Sequence, residues 1–126
     1  MKLWSLILSG PLAIALSALP ADAAAAGNVS VIEVVTFRIK SGVSGAEFAR
    51  LDKQVEQEHV SKQPGFVSRE SAFGENNEWL VIVHWRSAAD AEASMRSFEK
   101  APAAAGFMSK IEASTMSMKR YQLPRR

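Results

Sequence analysis

A chain of 126 residues with 48% hydrophobic and 22% charged content has room for one globular domain and is too apolar for wholesale disorder. A formal net charge of +2 is too small for an electrostatic nucleic-acid binder, and no basic stripe interleaves with stacking aromatics. With no cysteine, disulfides, thiolate catalysis and a lipoprotein anchor are excluded, so stability must come from packing.

The first residues read as a signal peptide spanning 1–23. Lys2 supplies a positive start, and Leu3 to Leu19 is an apolar run interrupted by Ser9, Gly10 and Pro11. Ala21-Asp22-Ala23 then has the small-x-small form of a processing site, with cleavage after Ala23 preferred to cleavage after Ala26. The Pro and Gly within the run argue against a permanent anchor. The mature protein is therefore expected in a bacterial periplasm or secreted, free of the membrane after cleavage. Residues 24–28 are a flexible lead-in, 29–122 the folded domain and 123–126 a basic tail, with the Lys119–Arg120 and Arg125–Arg126 cluster read as solvated.

Val29 to Lys40 alternates as a long strand, with Val31, Glu33, Val35, Phe37 and Ile39 on one face. Ile32, Val34, Thr36, Arg38 and Lys40 occupy the other, so both faces are partly apolar. Ser44, with Glu47 at the capping-box position, starts a helix whose stripe is Phe48, Leu51, Val55 and His59. Gln63-Pro64-Gly65 stops it. Phe66 to Phe73 and Trp79 to Trp85 form two strands joined by a hairpin turn over Gly74 to Asn77. Ser87 and Asp90 mark the start of a second helix, whose stripe is Ala88, Ala91, Met95 and Phe98. Pro102 interrupts it, Ala103 to Lys110 forms a short helical piece carrying Phe107, and Ile111 to Tyr121 closes the domain as a strand.

This order predicts an α+β, ferredoxin-like β-α-β-β-α-β unit with an antiparallel sheet. Helices cover one face and leave apolar groups on the other. A homodimer pairing two sheets face to face is the expected remedy.

Three signals carry a family resemblance: Pro64-Gly65-Phe66-Val67-Ser68 after the first helix, the strand ending Val83-His84-Trp85-Arg86-Ser87, and the Ala-rich helix with Phe107 beyond it. Over Val29 to Gln122 the chain resembles the antibiotic biosynthesis monooxygenase-like family, whose members are dimeric α+β barrels. The resemblance implies cofactor-free oxygenation of a small aromatic or quinone-type molecule, held in an apolar slot beside a hydrogen-bonding group. A non-catalytic ligand-binding or stress-related protein on the same barrel is the alternative.

Within that frame His84 is the first choice of base, since imidazole titrates near neutral pH, against a structural reading as a hydrogen-bonded strand-edge histidine. Arg38 and Tyr121 are candidate hydrogen-bond donors. Trp79, Trp85 and Phe37 are candidate walls of the binding slot, Trp79 also of the dimer seam. Glu33 reads either as a buried acid or as the partner of a cation such as Arg38 of a second subunit. His59 reads as a half-exposed residue at a helix C-terminus.

No metal or other cofactor is expected. Glu56-Gln57-Glu58-His59 is a single Glu-x-x-His without the second copy a carboxylate-bridged site needs. In the haem-degrading branch of the family a tryptophan, an iron-ligating histidine and a first-strand asparagine would align with Ser94, a position near Ala104 and one near Phe37. None of these residues can serve those roles.

Overall fold

The computed structural model describes residues 29–125; the expected signal peptide and the lead-in lie outside the described residues. Strand β1 (Val31–Ile39) leads into helix α1 (Gly45–Glu58) and a single 3₁₀ turn (Val60–Lys62). Strands β2 (Phe66–Phe73) and β3 (Glu78–Trp85) follow, then helices α2 (Ala88–Phe98) and α3 (Pro102–Ser109), and strand β4 (Ile111–Gln122). The four strands form one antiparallel sheet in the order β2-β3-β1-β4, which is the ferredoxin-like arrangement with its last crossover split into two helices.

Local chemistry accounts for the joints. Ser44 Oγ accepts from the Glu47 amide at 3.1 Å and Ser87 Oγ from the Asp90 amide at 3.0 Å, so both main helices start on side-chain caps. Pro102 sits in the first turn of α3, where its missing N–H costs nothing. Gly65 has φ +80°, and a side chain there would run into the Asp90 carboxylate. Its carbonyl also accepts from the Arg86 amide at 2.8 Å. The Pro64-Gly65 pair is thus a backbone requirement of the joint between α1 and the sheet.

The alternation of β1 holds. Val31, Glu33, Phe37 and Ile39 are buried on the helix-covered face, where the register adds Trp79, Val81, Val83 and Trp85 of β3. At one end of the layer Phe48 meets Phe37, Trp79 and Phe107 with ring centroids 5.5, 5.0 and 5.1 Å apart. On α1 the inward stripe is rotated from the expected one: Asp52, not Leu51, is buried between Phe48 and Val55. The open face carries half-buried Ile32, Val34, Leu80 and Ile82 along the sheet's centre.

Candidate active site

Small side chains in the helix layer leave space against the sheet. Ser94, Ala104 and Ala105 line a cavity of about 500 Å³ together with Val35, Val81, Val83 and Trp85 of the sheet and the rings of Phe98 and Phe107. That volume suits a small organic ligand. Ser94 and Ala104, the positions compared above with the haem-degrading branch, both line this cavity. These small side chains create the room.

Two charged groups reach this apolar chamber from the sheet. Glu33, 5% exposed, receives the Arg120 Nε–H at 2.8 Å on Oε2, directly across the β1–β4 ladder. Among the described residues its second oxygen, Oε1, has no hydrogen-bond partner. Arg69 on β2 is clamped to Asp52 of α1 by two hydrogen bonds, at 2.6 and 2.9 Å, while Ser71 donates to the same carboxylate at 2.7 Å. Arg69 and Asp52 side chains are 3% and 7% exposed, so this is a buried, fully partnered ion pair. Glu99 and Lys100, at the end of α2, line the outer part of the chamber.

The expected site residues divide sharply. Phe37, Trp85 and Glu33 line the cavity. Within the chain the partner of Glu33 is Arg120, so Arg120 belongs to the sheet and not to a solvated tail. His84, Arg38 and Tyr121 do not line it. His84 lies on the open face, its Nδ1 3.0 Å from Ser68 Oγ, in a cross-strand row with Ile32 and Tyr121. Arg38 is exposed near the end of β1, and Tyr121 is 53% exposed. The strand period puts all three opposite Glu33 and Phe37, because even-numbered β1 and β3 residues point away from the helices and Tyr121 of β4 pairs with Ile32.

Trp79 is buried against Phe48 and Phe73, outside the cavity lining. His59 is not half-exposed; it is 8% exposed at the end of α1, with Nε2 2.7 Å from Ser97 Oγ and its ring edge-on to Phe98. Burial lowers its pKa below the ordinary 6.5, favouring the neutral ring. Asp52, Arg69 and Arg120 were not anticipated. A carboxylate four residues after Phe48 and three before Val55 on a helix stripe is the signal that could have found Asp52. Among the described residues no group of three or more histidines and carboxylates is placed to hold a metal ion, and no helix is long and apolar enough to cross a membrane.

The family profile described as antibiotic biosynthesis monooxygenase matches residues 30–107, from the start of β1 to the Phe107 wall of the cavity. The chain belongs to this family. Among solved structures, a mutant of SnoaB, a cofactor-independent oxygenase from Streptomyces nogalater, is similar with a TM-score of 0.62 at 17% identity, covering 77% of this chain and 95% of that one. The monooxygenase from ActVA-Orf6 of Streptomyces coelicolor, in complex with nanaomycin D, is similar at 0.57 and 19%, over 79% and 91% of the two chains. A protein of unknown function from Nitrosomonas europaea reaches 0.58 at 13%, over 78% and 92%. At these identities the likeness establishes the shared fold. No curated protein matches the chain.

Proposed function

We propose that this member of the antibiotic biosynthesis monooxygenase family is a cofactor-independent oxygenase of small aromatic or quinol-type molecules, working as a homodimer in the bacterial periplasm. The observation that carries the reading is Glu33: a buried carboxylate, positioned by Arg120, on the sheet wall of an otherwise apolar chamber. An oxygenase and a monooxygenase among proteins of the same fold support it.

The chemistry asked of the site is modest. A substrate with an acidified CH₂ or a phenolic O–H places its proton at Glu33 Oε1 while its rings lie between Trp85, Val83 and the alanines of α3. Loss of the proton leaves a delocalised anion electron-rich enough to reduce dioxygen and form a carbon–oxygen bond to it. For a CH₂ carbon, the O–O bond of the resulting peroxide then breaks as the second C–H proton is removed. The products are a carbonyl and one water, so O₂ is the only co-reactant. Excluding water from the chamber favours both anion formation and recombination. Arg120 is a positioning residue: it fixes Oε2 and leaves Oε1 for the ligand.

The homodimer reading rests on Ile32, Val34, Leu80 and Ile82, an apolar strip on the open face that a second sheet would cover. The periplasmic setting rests on the N-terminal sequence. A non-catalytic ligand-binding role is the second reading, favoured by the placement of His84, Arg38 and Tyr121 outside the cavity lining.

Oxygen uptake with a panel of hydroquinones and anthrones tests the proposal. Glu33→Gln should lower the rate by roughly 10²–10⁴, the range of a general base. His84→Ala should leave it within about twofold, since the open face takes no part in the proton transfer. No uptake with any panel member would favour the binding role. Loss with His84→Ala but not Glu33→Gln would move the chemistry to the open face.

A further inference from the structure

We infer that Met116, carried beside an irregular stretch of β4, is the size-selecting residue at the mouth of the cavity. The inference rests on the chamber being the aromatic site proposed above, and it concerns what that chamber admits rather than what it does.

The β1–β4 ladder breaks opposite the cavity wall. Thr36 pairs with Ser117, yet Arg38 pairs with Glu112, so β1 passes one residue, Phe37, while β4 passes Ala113, Ser114, Thr115 and Met116. The extra residues leave the ladder without becoming a loose loop. The Arg38 amide, which lacks a β4 carbonyl there, donates to Thr115 Oγ1 at 2.8 Å, and that hydroxyl donates to the Glu112 carbonyl at 2.6 Å. Bulges of this kind bend a strand and redirect its side chains.

Met116 lines the cavity and is also 37% exposed. Met108 of α3, in the opposite layer, likewise lines it and is 36% exposed. These two side chains touch both the chamber and solvent, one from each layer, and share its opening with the exposed Glu99, Lys100 and Ala105. Met118, two residues further along β4, is 40% exposed and does not line the chamber. The inner walls are held by β-branched and aromatic groups in the packed core, whereas the large apolar side chains at the opening are unbranched thioethers. Methionine reshapes easily around a flat ligand, so ring systems of different width are separated by how far these two side chains must move. The freedom of Met116 comes from its place next to the bulge, and the extent of that freedom is limited by the Thr115 pin.

The test measures binding without turnover. Quenching of tryptophan emission, to which Trp85 on the cavity wall contributes, gives Kd for naphthol and for hydroxyanthraquinone in the absence of oxygen. Met116→Ala should tighten the three-ring probe by roughly tenfold relative to the two-ring probe, the scale at which a pocket distinguishes a few apolar atoms. Met116→Trp should shift the ratio the other way. Thr115→Val, which removes the pin without touching the chamber, should relax the ratio in the same direction as Met116→Ala. Met118→Ala should leave it unchanged. Equal shifts for both probes in the Met116 variants, or an equal change of ratio in Met118→Ala, overturn the inference. If neither probe binds the native protein, the inference falls together with the chamber as an aromatic site. Size selection without oxygen uptake sinks only the oxygenase reading.

Discussion

On the helix-covered face of the sheet the charged groups come in pairs: Glu33 with Arg120, and Arg69 with Asp52. On the open face His84 has a single contact, Ser68, and Tyr121 stands more than half exposed. The two faces share the same strands and the same alternation, yet they respond to opposite constraints. Beneath the helices water is excluded, so a charge must bring its partner or shed its charge. On the open face water supplies the missing hydrogen bonds, and the uneconomical element is instead the apolar strip of Ile32, Val34, Leu80 and Ile82. On the function proposed above, chemistry that needs a preorganised polar atom in a dry space falls to the first face, and association to the second.

The largest expected effect comes from splitting a covered pair. Arg69→Met leaves Asp52 buried opposite an apolar side chain with only Ser71 to satisfy it, and should cost about 3–5 kcal/mol of stability. The double variant Arg69→Met, Asp52→Leu should recover most of that loss, because the penalty lies in the orphaned charge rather than in the absent attraction. Urea titrations of the two variants decide it. If the double variant is as unstable as the single one, the pair is a net stabiliser and the contrast between the faces is weaker than drawn.

On the open face the corresponding experiment should affect assembly more than folding. Ile82→Glu places a charge in the middle of the apolar strip, where water can still reach it in a monomer. Monomer stability should change by no more than about 1 kcal/mol, while sedimentation should show the dimer lost. An unchanged dimer would mean that association uses another surface. A smaller effect is expected from His84→Ala, which removes one exposed hydrogen bond and should cost about 0.5–1.5 kcal/mol at most in a denaturant titration.

Much of this contrast was legible in the sequence, and the part that was not has a common physical cause. The period of two along Val31–Ile39 assigned every β1 side chain to its face, and the Ser44/Glu47 and Ser87/Asp90 caps are local motifs that name their own partners. His84 could even be placed beside Leu80 and Ile82. The alternation could not say which face would enclose the cavity, so the most reactive side chain was favoured on the face that stays open. The charged sheet residues that do line the site, Arg69 and Glu33, are joined to their partners over long separations, 17 residues for Asp52–Arg69 and 87 for Glu33–Arg120. Such pairings are products of strand order. The β4 bulge was equally hidden: Ser114 and Thr115 read as ordinary strand residues until the register with Arg38 is known.

His59 sharpens the comparison from the covered side, because it is a titratable group beneath the helices without a charged partner. Its Nδ1 is buried and unbonded, its Nε2 meets only the Ser97 hydroxyl, and burial lowers its pKa below 6.5. The unfolded chain therefore takes up a proton at a higher pH than the folded one. The contribution of the neutral, buried ring is fully present above pH 6.5 and is lost as the pH falls from there through the folded-state pKa. Stability measured by thermal melts should be flat just above that point and decline on the acid side, before the carboxylates begin to protonate. His59→Gln keeps a polar group near Ser97 but cannot titrate, and should remove the decline between pH 6.5 and 5 while leaving the acid unfolding below it. His84→Ala, on the open face, should leave the decline in place. A decline that follows His84 and ignores His59 would mean that protonation acts through the open face, and the burial argument for His59 would have to be abandoned.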